Sequence, residues 1–399
     1  MDSELKKNGL FSSLFSAEFL ALNGIIFLVF CNVAVFFQFQ QYLQNELHLP
    51  ARQQGTLIGV FALTALVVRP IISPFLHSAN ARKWLFISAV GVVLSLLLYY
   101  PARSFWSLTL VRIGHGGIYV VLATAALTKM MDSIPEDKSG QAFGLITVIT
   151  LLPYAVLPPL LDPLIRVGGG FRPVLFITAW LMVFTFPLLL QVKSQKGEIA
   201  ETDLSKPSWK DQKENLKDPR IFFLLLISLL VYSSFSPVFF YLKGFALKQG
   251  IPNPGWFFTL STLMEIAVRV LGGSLLDRGS KVRTLLFSLS GLTAACFFLA
   301  HVSHPIAFWG LGFWFGIGWG VALPLLNGLI FDCSQPRFRA LNTNLAMVMF
   351  QGGFFLGPLA GGWVLELWDY KGLYYTCGLM VLIAILLTLS LKKIKKEKP

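Results

Sequence analysis

The sequence predicts an all-α membrane protein of twelve spanning helices, arranged as two parallel six-helix bundles. Three observations carry that expectation. The chain has 399 residues, 55% of them hydrophobic and only 13% charged, with a mean hydropathy of +0.67, which leaves too little polar surface for a water-soluble core of this size. Its apolar residues fall into long runs, each enough to cross a hydrocarbon layer of roughly 30 Å as helix. And the second half of the chain repeats landmarks of the first at an offset of 200 residues.

The runs cover 19–43, 53–73, 84–101, 105–130, 140–163, 172–192, 221–242, 254–276, 283–301, 305–331, 339–365 and 372–391. They are too long for the strands of a membrane barrel, which alternate inward and outward over about ten residues. Residues 1–18 lead straight into the first run with no small-residue cleavage site, so no cleavable signal is expected. Cys31, Cys296, Cys333 and Cys377 are scattered without ligand spacing, and neither a disulfide framework nor a metal site is predicted. No cofactor is expected.

The net charge of +13 is compatible with nucleic-acid binding, but its distribution argues for a membrane instead. Counting Lys129, Arg172, Arg283 and Arg339 at the ends of runs with the adjoining loops, 23 of the 33 Lys and Arg residues lie at the two ends of the chain and in the even-numbered loops and 7 in the odd-numbered loops, while Arg69, Arg112 and Arg269 lie deeper within runs. The excess of basic residues marks the cytoplasmic side, which puts both termini in the cytoplasm and leaves nucleic acid without a role.

The halves align without a gap: Gly55 with Gly255, Arg69 with Arg269, Leu76 with Leu276, Ser88 with Ser288, Gly91 with Gly291, Gly116 with Gly316, Asp132 with Asp332, Pro158 with Pro358. Gly, Pro, Arg and Asp do not coincide through shared hydrophobicity. An even number of helices per copy gives both copies the same orientation, related by an axis along the membrane normal. The expected organisation is therefore an N-terminal bundle at 1–192, a polar cytoplasmic linker at 193–220, and a C-terminal bundle at 221–399.

The hairpin "RVLGGSLLDRGSKVR", 269–283, packs several charges between two apolar runs. It resembles the signature loop of the major facilitator superfamily, with Gly273, Asp277, Arg278, Lys281 and Arg283 in the signature positions. With the 6+6 layout, the resemblance covers essentially the whole chain. It implies a secondary transporter of a small-molecule substrate, a monomer in a bacterial inner membrane surrounded by lipid, with a solute site between the halves. It also implies a cytoplasmic gate built from Arg69, His77, Gly273, Asp277, Arg278, Arg337 and Arg339. There Asp277 faces the start of the eleventh span and accepts hydrogen bonds from Arg337 or Arg339. The first copy departs from the signature, with His77 in the place of the Asp, Ser78 in that of the Arg and Ser73 in that of the Gly.

Ionisable residues at membrane depth are costly and therefore functional candidates. In "VRIGHGGIYV" of the fourth span, Arg112, His115 and Tyr119 share one helical face. Arg112 is similar to the fourth-span arginine of the family's proton-coupled exporters, which implies a part in proton coupling. In "LMEIAVRVLGG" of the eighth span, Glu265 and Arg269 stand in the favourable i, i+4 order for an ion pair. That pair is either the proton-coupling site or purely structural. Asp162 is the alternative titrating group, or else forms an outer gate with Arg166. Asn32, Tyr154, Tyr232 and Asn327 join Arg112, His115, Tyr119 and Glu265 as candidate cavity residues, with Gln38 and Gln351 beside them; each also fits an interhelical hydrogen bond.

Gly312, Gly316, Gly320, Pro324 and Gly328 recur every four residues in the tenth span, a smooth stripe for close helix approach. "GFFLGPLAGG" in the eleventh resembles the family's helix-bend motif, placing a bend at Gly357 and Pro358; the fifth span keeps Pro158 without the glycines. There is no Walker lysine motif, and no HExxH or nucleophile-base set, so the chain is not expected to be an enzyme. Two directions stay open: proton-coupled efflux, and proton-coupled uptake of an organic anion with Arg112 as its partner. A receptor on the same scaffold is the remaining alternative.

Overall fold

The first helix begins where the Ser16 hydroxyl accepts the backbone N–H of Phe19 at 3.2 Å, with Glu18 in the first turn, the arrangement that satisfies a helix N-terminus. From there a computed structural model describes residues 16–134, 138–193 and 209–394; the side chains of 209–212, 273–278 and 392–394 lie outside the described residues.

The helices are α1 (Ala17–Ala34), α2 (Phe39–Asn45), α3 (Ala51–Ile72), α4 (Ser78–Leu98), α5 (Phe105–Asp132), α6 (Ser139–Gly168), α7 (Phe171–Val183), α8 (Thr185–Leu189), α9 (Trp209–Leu216), α10 (Pro219–Lys248), α11 (Gly255–Arg278), α12 (Lys281–Leu299), α13 (Pro305–Cys333) and α14 (Arg339–Ile394). Among the described residues, eleven helical stretches are long and apolar enough to cross a membrane. The last runs through a non-helical residue, Asp369 with φ 58°, and crosses twice, which gives the twelve spans the sequence predicts. A short 3₁₀ turn, Val35–Gln38, joins α1 to α2 inside the first span. The starts of α3, α5 and α6 recur at α11, α13 and α14, about 200 residues on, so the repeat holds for elements as well as for residues.

Local chemistry explains the boundaries. Asp218 caps α10, its carboxylate accepting the Arg220 N–H at 2.9 Å, and Pro219 follows at the first helical position. α6 tolerates four internal prolines and stops at Gly169, φ 75°, the left-handed conformation that suits glycine at a helix end. Large apolar side chains face outward along the spans, among them Trp106, Leu110, Phe287 and Leu190, as they do when the surroundings are hydrocarbon rather than water.

The described residues form two compact units, one within 16–36 and 67–193 and the other within 37–66 and 209–394. The first span changes unit inside its 3₁₀ turn. In the first unit Phe36 packs against Tyr99, His115 and Phe171; in the second, Phe37 packs against Phe239 and Phe258. Residues 37–66 belong with the C-terminal half because glycines allow backbone contact: a Cβ on Gly55 would lie 2.3 Å from the Pro358 carbonyl oxygen, and one on Gly59 2.7 Å from that of Phe355.

The polar stretch 193–220 is not uniformly a linker. Its residues 209–216 form α9, which is held to the second unit through Asn215 and Asn342. Each amide donates to the other, at 2.6 and 3.1 Å, and both residues are buried.

Candidate functional site

In the first unit the polar groups of α5 come together around one ring. Arg112, 2% exposed, lies with its guanidinium 4.8 Å from the Phe36 ring centre and hydrogen-bonds to Tyr99. Tyr99 Oη is 3.2 Å from His115 Nδ1, and Asn32 Nδ2 is 3.1 Å from His115 Nε2. With Asn32 donating to Nε2, Nδ1 carries the ring hydrogen and donates to the tyrosine. Asn32, Tyr99, Arg112 and His115 thus form one connected network from three spans. Such networks are stiff when every member has a partner, and Asn32 Oδ1 is buried without one. Tyr119, half-buried, lies within electrostatic reach of Arg69. Tyr154 packs edge-on against Phe30 with ring centres 6.4 Å apart.

Asp162 is half-buried and Arg166 exposed. Pro158 is buried in α6. His77 is exposed; its backbone N–H donates to Asn80 Oδ1 at 2.9 Å as part of the cap of α4.

In the second unit Glu265 is buried on α11 and ion-paired with Arg269 one turn on. Tyr232 of α10 lies within electrostatic reach of both. Beside it stands an aromatic cluster: Phe235 stacks on Trp319 at 4.1 Å and 11°, Tyr232 meets Trp319 edge-on at 5.8 Å and Phe350 at 5.0 Å, and Phe350 packs on Phe354 at 4.7 Å. A carboxylate beside aromatic faces suits an amphipathic solute, which needs apolar area and one polar handle. Gln351 is buried with Oε1 unpartnered, whereas Asn327 is exposed.

The backbone geometry of this unit depends on its glycines. A Cβ on Gly312 would lie 2.6 Å from Phe257 O, on Gly316 2.1 Å from Ser261 O, and on Gly320 3.1 Å from Glu265 Cα, so the stripe on α13 seats α11 in register and fixes the backbone of Glu265. On α14 a Cβ at Gly357 would meet Ser236 Oγ at 2.1 Å. Ser236 donates to the Gly353 carbonyl at 3.0 Å, and Tyr241 to that of Pro358 at 2.9 Å.

At the predicted gate, Gly273, Asp277 and Arg278 fall among the side chains outside the described residues. The Arg337 guanidinium meets Glu214 Oε1 of α9 at 2.5 Å, while the side chain of its expected partner, Asp277, lies outside the described residues. α9 folds onto this end of α14 and brings Glu214 within reach. Arg339 lies over the Phe331 ring at 4.5 Å, and Lys281 pairs with Asp332 at 2.8 Å.

Sequence reasoning missed a second polar cluster. Lys243, one residue beyond the predicted seventh span, lies inside α10, is 6% exposed, and donates to Gln38. Close by, Gln40 donates to Gln54 at 2.8 Å and Gln41 to Gln40 at 2.7 Å, over Gly244, where a Cβ would meet both amides and Tyr370. The legible signal was "QFQQYLQ", 38–44, with four glutamines at the end of an apolar run. Among the described residues no group of three or more His, Cys, Asp and Glu is placed to hold a metal.

Comparison with known proteins accords with these features. The family model described as Major Facilitator Superfamily matches residues 22–351 and, in a second match, 254–399. The chain is 26% identical to a protein named Multidrug resistance protein MdtG from Serratia proteamaculans over 81% of this chain and 80% of the relative. It is 27% identical to the protein of the same name from Proteus mirabilis, over 81% and 82%. Among solved structures, the nucleoside transporter NupG superposes with a TM-score of 0.75 at 15% identity, covering 96% of this chain and all of the other. A bacterial homolog of the human lysosomal transporter Spinster, inward-facing and unoccupied, gives 0.75 at 16% identity over 94% and 96%. At those identities the structural likeness establishes the fold; with the family match over most of its length, the chain belongs to the Major Facilitator Superfamily and is a multi-pass membrane protein and secondary transporter.

Proposed function

We propose that the protein is a proton-coupled exporter of amphipathic, drug-like molecules. It acts as a monomer by alternating access in a bacterial inner membrane, with both termini cytoplasmic. The observation that carries the reading is Glu265, a buried carboxylate paired with Arg269 beside Tyr232, Phe235 and Trp319. A proton on Glu265 discharges the carboxylate and ends the ion pair, and loss of the proton restores it, so occupancy of one site changes the charge beside the aromatic cluster. Apolar cargo gains contact area from the stacked rings, and a cationic or hydrogen-bonding group on it competes with Arg269 for the carboxylate. The bacterial relatives named as multidrug resistance proteins support this cargo class, and the loop charges support the orientation. Transport of this kind requires no catalytic group.

The second reading, uptake of an organic anion, draws on Arg112, a buried cation that a carboxylate or phosphate would pair with. One experiment separates the two: a panel of drugs and metabolites in proteoliposomes with an imposed pH gradient, followed in both directions, for the wild type and Glu265→Gln. Export predicts accumulation against the proton gradient that the variant loses while still binding cargo. Gradient-driven flux unchanged in Glu265→Gln removes Glu265 as the coupling group, and acid-driven uptake of anions alone favours the second reading.

A further inference from the structure

A cavity of about 870 Å³ opens in the first unit between α4 and the last turns of the sixth span, far along the helix from the Arg112 network. Its walls are apolar: Phe86 and Ile87 from α4, and Phe186 and Leu190 from α8, where the Phe86 and Phe186 rings meet edge-on at 5.4 Å. Leu190 and Phe86 are 78% and 54% exposed, so the groove is open to whatever surrounds the spans. Only one end of it is charged. Arg82 and Lys83, in the first turns of α4, stand at the rim, and neither takes part in the networks described above.

The groove lies where the sixth span breaks between α7 and α8. The helix is interrupted at Phe184, and Pro187 sits within the short following helix, where it withholds a backbone N–H and prevents a straight, close-packed continuation against α4. The space left has apolar sides along the membrane normal and two cations at the water boundary. A soluble anion would gain from the cations but not from the rings; a neutral lipid would gain from the rings alone. A molecule with an acyl chain and an anionic head uses both ends.

We infer that this groove is a binding site for one anionic phospholipid, its phosphate held by Arg82 and Lys83 and its chain lying along Phe86, Ile87, Phe186 and Leu190. The inference uses the proposed orientation only to assign the lipid to the cytoplasmic leaflet, which is the anionic and basic-residue-rich side. The site adjoins the hairpin between the second and third spans, so its occupant would steady the start of α4.

The test uses the full chain reconstituted in vesicles of phosphatidylcholine with phosphatidylglycerol in both leaflets, extracted gently, with retained lipid counted by native mass spectrometry. We expect phosphatidylglycerol to be retained over phosphatidylcholine by about thirtyfold relative to its share of the vesicle, the factor that two basic residues at a membrane surface give. In the Arg82→Gln/Lys83→Gln variant that enrichment falls to about onefold, while Arg172→Gln, a change at a basic residue elsewhere, leaves it intact. Because a variant can fail to fold, the wild type is also measured across salt: enrichment falls as ionic strength rises, and millimolar inorganic phosphate does not displace the lipid. Retention in the bulk ratio, enrichment untouched by the double substitution, or displacement by phosphate alone would each overturn the inference. The readout is lipid retention and not flux, so its failure is distinct from failure of the exporter reading.

Discussion

Gly316 of α13 rests directly on the backbone of Ser261 of α11: a Cβ built on the glycine would fall 2.1 Å from the serine carbonyl oxygen and 2.7 Å from its Cα. The obstacle is main chain on both sides, so no rotamer can relieve it. We expect Gly316→Ala to force the two helices apart and lower stability by about 1–3 kcal/mol, the usual cost of overpacking. Gly310→Ala, on the same helix with nothing within 4 Å of its Cβ, should be neutral or gain up to about 1 kcal/mol from helix propensity. Thermal melts of the two variants in detergent check the contrast, and equal melting temperatures would contradict the packing.

Glu265 and Arg269 should behave as a unit. Removing only the cation, in Arg269→Met, strands a buried carboxylate and is expected to cost about 3 kcal/mol. Removing both charges, in Glu265→Gln/Arg269→Met, should recover most of that loss. A double-mutant cycle of melting temperatures measures the coupling; additive effects would mean that the ion pair contributes nothing in the membrane.

The spans and the repeat were legible because run length and spacing are properties of one segment at a time. So was the α13 stripe, since glycine every four residues fixes a smooth face whatever helix comes to meet it. Meetings between distant segments were less legible. The sequence places His115 and Arg112 on one face of a helix, but nothing in it shows that Tyr99 and Asn32 close the network around that ring. Nor does the sequence show that Arg337 meets Glu214, because that contact depends on α9 folding within a stretch that reads as a polar strap. Lys243 looks like a loop residue at the end of an apolar run because composition does not reveal that the helix continues to Lys248.

The Gln38–Lys243 contact should matter more than its neutral partner implies. An amide oxygen accepting from a buried ammonium makes a charge-assisted bond, so Gln38→Leu is expected to cost about 1.5–3 kcal/mol. Asn45→Ala at the edge of the same cluster, where the side chain donates to Gln41 at 3.2 Å, should cost about 1 kcal/mol or less. Denaturant-free thermal unfolding ranks the two. A Gln38→Leu variant as stable as wild type would show that Lys243 does not rely on this acceptor.

α9 provides the last expectation, because two contacts of unequal character hold it. Asn215 and Asn342 exchange hydrogen bonds in the interior, and Asn342 also donates to Ser334 Oγ at 2.7 Å. The Glu214–Arg337 pair is more than half exposed on both sides. Exposed ion pairs contribute about 0–1 kcal/mol, whereas a buried amide that loses its partner costs about 1–3 kcal/mol. Asn215→Leu should therefore release α9 and raise trypsin cleavage at Lys213 and Lys217 by about tenfold or more, since about 1.4 kcal/mol of local opening corresponds to a factor of ten. Arg337→Gln should change that rate by less than about fivefold. Limited proteolysis of the two variants in proteoliposomes decides between them: if Arg337→Gln is cleaved as fast as Asn215→Leu, the surface charges and not the buried amides hold α9 in place.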